Sequence, residues 1–332
     1  MKTKQLVALV VAAAVFIVTC GSSVLVNAVS NKISGDSTSM FDSLMGEGGE
    51  VTPMEDYIAV IEVEGTIYSE PSTDMWGEAA GYDHPSTMAY VDQLMEDEYN
   101  KGILLYMNTP GGEVTAADDL YLKLMEYKEV TGRKIYCYYG DQSCSGGVYI
   151  SMAADEIYAN RNCWTGSVGV IVSLVNMQGL YEKLGITEIN ITSGDNKAMG
   201  SAGEELTAEQ RDILQGMVDE AYDQFVSIVV DGRGLTEEKV RELADGRIYT
   251  AKQSLELDLI DGISTKDEYY DKVLAEVGED VIIFEREPAD YSFASLFATI
   301  EELQPKSDAE ILSEMMENEG IGGLMYYADI LR

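Results

Sequence analysis

Short apolar, β-branched runs alternate along the chain with longer stretches of helical spacing. Apolar runs at 57–63, 102–107 and 135–139 predict buried strands. Helical spacing at 85–99 and 116–128 fills the intervals between these runs. This alternation predicts an α/β domain.

The second half of the chain continues the alternation to about Glu285. We expect strands at 156–159, 164–172 and 187–192 and a helix at 177–184. A long amphipathic helix is predicted at 207–230, because Thr207 and Gln210 have the spacing of a capping box. The acidic tail that follows is partly helical by pattern and ends in an apolar patch, residues 324–331, to which composition assigns no role.

The N-terminus has the pattern of a membrane anchor. Lys2 and Lys4 precede the run Leu6–Val29, which is long enough to cross a hydrocarbon core of about 30 Å and predicts an N-terminus on the inside. A cleaved signal peptide is the main alternative, and Cys20 gives a faint lipoprotein signal. We favour an uncleaved anchor at 1–29, a flexible linker at 30–55, a globular domain at 56–285 and an acidic C-terminal tail at 286–332.

Charge and histidine content exclude several kinds of function. The chain carries 22 basic and 59 acidic residues, a net charge of -37, which argues against nucleic acid as a partner. Zinc sites with two or three histidines are excluded, because the single histidine is His84. A Ser-His-Asp triad would have to use it, but the following Pro85 favours a surface or helix-entry position.

The cysteines give no sign of a metal or redox motif. Four cysteines occur without a CxxC pair, so neither a zinc ribbon nor a thioredoxin-like site is predicted. The simplest interpretation of Cys144 is a small buried residue, and a disulfide is the alternative outside the cytoplasm.

Two glycine-rich turns follow successive predicted strands. One contains Pro110-Gly111-Gly112 and the other contains Ser145-Gly146-Gly147. Taken singly, each fits an ordinary turn or helix cap. Together they are expected to expose backbone N–H groups at one edge of the sheet, where an oxyanion would be stabilised. Without a usable histidine, a nucleophilic serine would need another base, such as a lysine with a lowered pKa.

Five ordered motifs carry a family resemblance that extends from about Tyr57 to Glu285. They are Asn108–Gly112, Cys144–Asp155, Thr165–Val170, Ser193–Lys197 and Asp245–Tyr249. The chain resembles the signal peptide peptidase A family, bacterial membrane-anchored Ser-Lys proteases of the Clp protease and crotonase superfamily. The resemblance implies a fold of repeated β-β-α units.

The resemblance also implies roles for individual residues. Ser145 would be the nucleophile, Lys197 the general base and Ser167 a hydrogen-bonding partner of that lysine, with the N–H groups of Gly112 and Gly146 as the oxyanion hole. By its sequence context alone, Lys197 has the character of a solvated loop residue. Cys144 replaces a common alanine of the family, and Ser143 is the rival nucleophile in the same turn.

Each motif occurs once, which matches the half-length form of the family. The resemblance therefore implies a homo-oligomer, an octameric ring on the membrane, in which serine and lysine come from neighbouring protomers. The expected activity is endoproteolysis of remnant signal peptides and other unfolded apolar peptides outside the cytoplasmic membrane, without metal or other cofactor. The alternatives are a catalytically silent peptide-binding scaffold of the same fold and a related protease with stomatin-like partners; an acyl-CoA enzyme is disfavoured by the expected location.

Overall fold

A computed structural model describes residues 52–70, 81–278 and 280–286 and the backbone of residues 325–327. Pro53 onwards belongs to one compact unit. The predicted anchor at 1–29 and nearly all of the predicted linker lie outside the described residues. Within the described ranges, no helix has the length and apolar character needed to cross a membrane.

The described strands form one large, mostly parallel sheet and a small second one. Their bounds are β1 Tyr57–Glu64, β2 Asn100–Thr109, β3 Gly111–Glu113, β4 Lys134–Cys144, β5 Glu156–Ala159, β6 Trp164–Gly166, β7 Ile248–Thr250, β8 Gly262–Ile263, β9 Ile282–Glu285 and β10 Met325–Tyr327. The order in the large sheet is β7-β6-β4-β2-β1-β9, with β5 beside β4 and β8 beside β5. The β6–β7 pair is antiparallel. The second sheet pairs β10 with β3.

Helices connect the parallel strands, as the alternating sequence pattern predicted. The described helices are α1 His84–Glu96, α2 Val114–Thr131, α3 Gly146–Ser151, α4 Gln178–Leu184, α5 Ala208–Arg233, α6 Glu237–Leu243, α7 Ala251–Glu256 and α8 Lys266–Val277. The α/β prediction is therefore confirmed. The capping box is confirmed as well, because Thr207 and Gln210 exchange hydrogen bonds at the start of α5.

The main core lies between one face of the sheet and helices α1, α2, α3 and α5. Ile103 and Leu105 of β2 alternate into this core and meet Leu120 and Leu124 of α2. On the opposite face, Tyr138 of β4 packs with residues of α8 in a smaller cluster. The carboxyl ends of β2 and β4 are thus held between two packed layers.

Two sequence predictions were wrong in detail, and a third was confirmed. The stretch 187–192 was expected to be a strand but forms none, and Ile191 is 96% exposed. The strand predicted at 164–172 ends at Gly166. His84 was predicted at the surface or at a helix entry, and it begins α1. Its ring is buried, 7% exposed, against Tyr82, whose hydroxyl lies 2.7 Å from Nδ1.

Candidate active site

The two glycine-rich turns leave the sheet from adjacent positions. Strands β2 and β4 are parallel neighbours, and Thr109 of β2 is paired in register with Ser143 of β4. Pro110-Gly111-Gly112 follows Thr109 directly, whereas the turn at Ser145 begins two residues after Ser143. The carboxyl ends of parallel strands meet at one edge, so the fold brings both turns together. Helix α3 also contacts β3.

Ser145 occupies a sharp turn between β4 and α3. Its backbone has φ 54° and ψ -112°, a positive φ that non-glycine residues rarely adopt. Its N–H donates to the Gly166 carbonyl (2.8 Å), and its own carbonyl accepts from the Tyr149 N–H (3.0 Å). Ser145 is fully buried, and its hydroxyl has no hydrogen-bond partner among the described residues. A buried hydroxyl without a partner is costly, which is typical of a functional position.

The N–H of Gly146 is suited to receive a developing negative charge. Gly146 is the first residue of α3, and the first N–H groups of a helix have no acceptor within the helix. They also lie at the positive end of the helix dipole.

The N–H groups of the two residues that flank Gly112 already donate hydrogen bonds. The Gly111 N–H donates to Thr109 Oγ1 (3.0 Å), and the Glu113 N–H donates to the Ile67 carbonyl (2.8 Å). Since successive N–H groups of an extended chain point to opposite sides, the Gly112 N–H lies on the edge of β3 away from Ile67. A Cβ on Gly112 would lie 1.9 Å from the Ile67 carbonyl oxygen, so this close approach requires glycine.

The C-terminal tail contributes a strand at this same edge. Residues Met325–Tyr327 pair antiparallel with β3, and Tyr326 is in register with Gly112. Strand β10 also lies against α3, the helix that follows Ser145. An extended segment is therefore accommodated next to the two glycine-rich turns.

Within one chain, the Lys197 ammonium makes no hydrogen bond with the Ser145 hydroxyl. It lies in a turn at 195–200, is exposed, and its ammonium makes no hydrogen bond or ion pair with a described residue. Ser167 lies close to Ser145, because it follows Gly166, the acceptor of the Ser145 N–H. Ser167 is buried, has a positive φ of 52° and donates its N–H to the Arg247 carbonyl (2.7 Å). One chain thus brings together Ser145, Gly146, Gly112 and Ser167, and no hydrogen bond among the described residues joins the Lys197 side chain to them.

The segment that carries Lys197 exposes an unusual amount of apolar surface. Helix α4 has no buried residue. The exposed apolar side chains between residues 171 and 191 are Ile171, Val175, Leu180, Leu184, Ile186, Ile189 and Ile191. So many exposed apolar side chains in one segment are typical of a surface that another protein covers.

Cys144 and Ser143 precede Ser145 but are poorly placed for chemistry. Burial raises the pKa of the Cys144 thiol to about 12, so the thiolate is scarce at neutral pH. Cys137, Cys144 and Cys163 are buried free thiols. The Ser143 hydroxyl lies in the strand itself, 2.8 Å from where a Cβ on Gly147 would be. This hydroxyl is also buried without a partner among the described residues, so what distinguishes Ser145 is its positive φ at the strand-to-helix turn, which Ser143 lacks.

The contacts that hold β3 were not foreseen from the sequence. Glu113 accepts hydrogen bonds from the N–H (2.8 Å) and hydroxyl (2.7 Å) of Ser69, which fastens β3 to the segment that follows β1. These partners are 44 residues apart, and neither belongs to a spacing pattern. For Thr109 a signal did exist, since it lies within the motif that ends at Gly112.

Known proteins with similar sequences identify the family of this chain. Together with the α/β fold and the serine at a strand-to-helix turn, they define the chain as a serine protease. It belongs to peptidase family S49, whose family model matches residues 128–279. A putative signal peptide peptidase SppA of Enterococcus faecium is 33% identical over 246 residues, which cover 74% of this chain and 70% of that protein.

Two further relatives match shorter shares of their own length. The putative protease slr0021 of Synechocystis is 41% identical over 53% of this chain and 63% of its own length. Protease 4 of Haemophilus influenzae is 30% identical over 65% of this chain but only 34% of its own length.

Proposed function

We propose that this chain is an endopeptidase in which Ser145 is the nucleophile and Lys197 the general base. The observation that carries the proposal is the backbone of Ser145, which has a positive φ at a strand-to-helix turn and presents a buried hydroxyl without a partner among the described residues. Unfavourable backbone geometry of this kind persists where the surrounding structure enforces it, as in nucleophile turns of other hydrolases.

The chemistry needs a base, an oxyanion hole and two steps. Neutral Lys197 would remove the proton from Ser145 Oγ as the oxygen attacks the scissile carbonyl, and would then deliver it to the leaving amine. The N–H groups of Gly112 and Gly146 would stabilise the tetrahedral oxyanion. Water would then hydrolyse the acyl-enzyme by the same route, and Ser167 would orient the lysine.

A second copy of the chain would supply Lys197. In a single chain the lysine is exposed and makes no hydrogen bond with a described residue, and it lies in a segment with many exposed apolar side chains. Burial of that segment against a neighbouring copy would remove apolar surface from water and bring the lysine to the Ser145 of that copy. We propose a closed ring, octameric as the family resemblance implies, since closed symmetry buries such a surface on every copy.

The substrates would be extended, apolar peptides such as remnant signal peptides. Pairing of β10 with β3 supports this, because an extended chain is accommodated in register with Gly112. Residues 1–29 would anchor the ring so that the active sites lie outside the cytoplasmic membrane. Resistance of the full-length chain to extraction from membranes by alkaline carbonate would test the anchor.

Mixing two inactive variants tests the site and its division between copies. Ser145→Ala and Lys197→Met should each abolish hydrolysis of a fluorogenic apolar peptide by the full-length chain in detergent. The two variants are then mixed in equal amounts as unfolded chains and refolded together. Random assembly should restore about a quarter of the activity, because about half of the sites have an intact serine and about half of those face a neighbour with an intact lysine.

Matched variants make the result specific. Lys197→Arg retains the charge but should stay inactive, because arginine does not lose its proton near neutral pH. Lys252→Met removes a lysine whose side chain is 82% exposed and should leave activity unchanged. Activity in either single variant would refute the dyad, and inactive mixtures would refute its sharing between copies. Peptide binding without hydrolysis by the unmutated chain would favour the scaffold.

A further inference from the structure

Thr109 contacts both of the turns that would form the oxyanion hole. It is the last residue of β2, is fully buried, and precedes Pro110-Gly111-Gly112. Its hydroxyl donates to the Gly65 carbonyl (2.6 Å) and accepts from the Gly111 N–H (3.0 Å). The hydroxyl therefore connects the segment after β1 to the first glycine of the turn.

The methyl group of Thr109 supports the other turn. A Cβ placed on Gly147 would lie 2.7 Å from Thr109 Cγ2, so the backbone at Gly147 packs directly on this methyl group. Gly147 follows Gly146, whose N–H is the second proposed oxyanion donor. A single side chain thus contacts the residue before Gly112 and the residue after Gly146.

The hydroxyl also determines which N–H of the first turn faces the edge of β3 where β10 pairs. Because the Gly111 N–H is bonded to Thr109 Oγ1, it cannot point towards a substrate. The Ile67 N–H donates to the Gly111 carbonyl (2.9 Å), so both polar groups of Gly111 have fixed partners. The bond from Ile67 orients the peptide unit between Gly111 and Gly112, and with it the Gly112 N–H, whereas the Thr109 hydroxyl fixes the preceding peptide unit from which the turn continues.

We infer that Thr109 is a positioning residue that holds the two oxyanion donors at their correct separation, with its hydroxyl fixing the first turn and its methyl group supporting the second. This inference rests on the proposed function, because it concerns the same site. Oxyanion donors act only when they are directed at the place where charge develops, so a small rotation of either turn lowers the rate.

Two substitutions separate the roles of the hydroxyl and the methyl group. Thr109→Val keeps the shape and removes both hydrogen bonds, whereas Thr109→Ser keeps the hydroxyl and removes the methyl group. Thr131→Val is the matched control, because the Thr131 hydroxyl also donates to a carbonyl, that of Tyr127 (2.7 Å), and accepts from an N–H two residues later, that of Arg133 (3.2 Å). Thr131 ends α2, just before the amino end of β4.

The test compares transition-state and ground-state binding in the full-length chain in detergent. For Thr109→Val we expect kcat to fall about tenfold to a hundredfold while KM stays within about threefold. The inhibition constant of a peptide aldehyde, which forms an oxyanion on the serine, should rise by a similar factor. Thr109→Ser should retain kcat within about fivefold, since the first turn stays fixed. Thr131→Val should change neither constant.

Several outcomes would overturn the inference. They are a Thr109→Val enzyme with unchanged kcat, an equal loss in Thr131→Val, or a Thr109→Ser enzyme as impaired as Thr109→Val. Circular dichroism and thermal unfolding of each variant identify a loss that comes from misfolding, which would also count against a positioning role. If the unmutated chain shows no hydrolysis that depends on Ser145, the proposed function fails first, and the inference falls with it.

Discussion

Substitution of Gly112 by alanine should separate catalysis from folding. The new Cβ would lie 1.9 Å from the Ile67 carbonyl oxygen and 2.6 Å from the Ile67 carbonyl carbon and nitrogen. Carbon and oxygen atoms in weak contact are about 3.3 Å apart, so β3 would have to move by about 1.4 Å. Backbone atoms form the obstacle, and therefore a rotamer change cannot relieve it.

The size of the effect follows from what this movement breaks. Ile67 exchanges two backbone hydrogen bonds with Gly111 and Glu113, at 2.9 and 2.8 Å. At about 1 kcal/mol each, their loss would lower the free energy of unfolding by about 2 kcal/mol. Displacement of the Gly112 N–H removes one oxyanion donor, which typically lowers kcat by about 10²–10³.

The assay measures kcat for a fluorogenic peptide together with the urea dependence of unfolding. Gly132→Ala is the matched control, because Gly132 has φ 67° and nothing lies within 4 Å of its Cβ position. The left-handed conformation should cost that variant about 1–2 kcal/mol, similar to the loss at Gly112, without lowering kcat. If Gly112→Ala keeps kcat within threefold of the unmutated chain, the assignment of Gly112 is refuted.

Three other predictions follow from the described residues. Burial lowers the pKa of His84 despite the nearby carboxylates of Asp119, Glu113 and Asp83. Because the unfolded chain then binds more protons, the free energy of unfolding should fall as the pH drops through about 6.5. His84→Gln should remove that component of the pH dependence, as urea titrations can measure. Identical pH dependence in the variant and the unmutated chain would contradict the prediction. Cys144 is buried and its pKa is about 12. It should therefore resist iodoacetamide at pH 8 in the folded chain and react after denaturation, as mass spectrometry can measure. Rapid labelling of the folded chain would show that the site opens. A chain that ends at Gly323 lacks β10, which leaves the edge of β3 free for substrate. KM for apolar peptides should therefore fall about threefold to tenfold. An unchanged KM would mean that β10 does not compete with substrate.

Much of the α/β fold could be predicted because its signals are local. The runs at 57–63 and 102–107 became β1 and β2, and the capping box at Thr207 began α5 within a residue of its predicted start. The prediction of a strand at 187–192 was wrong because a strand needs a neighbouring strand to pair with. The β-branched pattern of these residues gives no information about whether such a neighbour is available. The helix-entry position of His84 was predictable because Pro85 marks a helix start, but a proline gives no information about what packs against the histidine ring.

For the candidate site, the sequence determined which residue types were available. The two glycine-rich turns drew attention to Ser145, and the family resemblance carried by five ordered motifs implied the roles of Ser145, Lys197, Gly112, Gly146 and Ser167. The turns and motifs are short runs of residues, so they can be recognised without knowledge of the fold.

Only the tertiary structure decided how these residues are oriented and which of them meet. It gave Ser145 its positive φ, occupied the Gly111 N–H with Thr109, and pressed Gly112 against Ile67 from another part of the chain. It also left Lys197 exposed in the single chain. The physical reason is that hydrogen bonds and close contacts depend on positions in space, which distant segments set together by packing, whereas composition and spacing along the chain describe only neighbours.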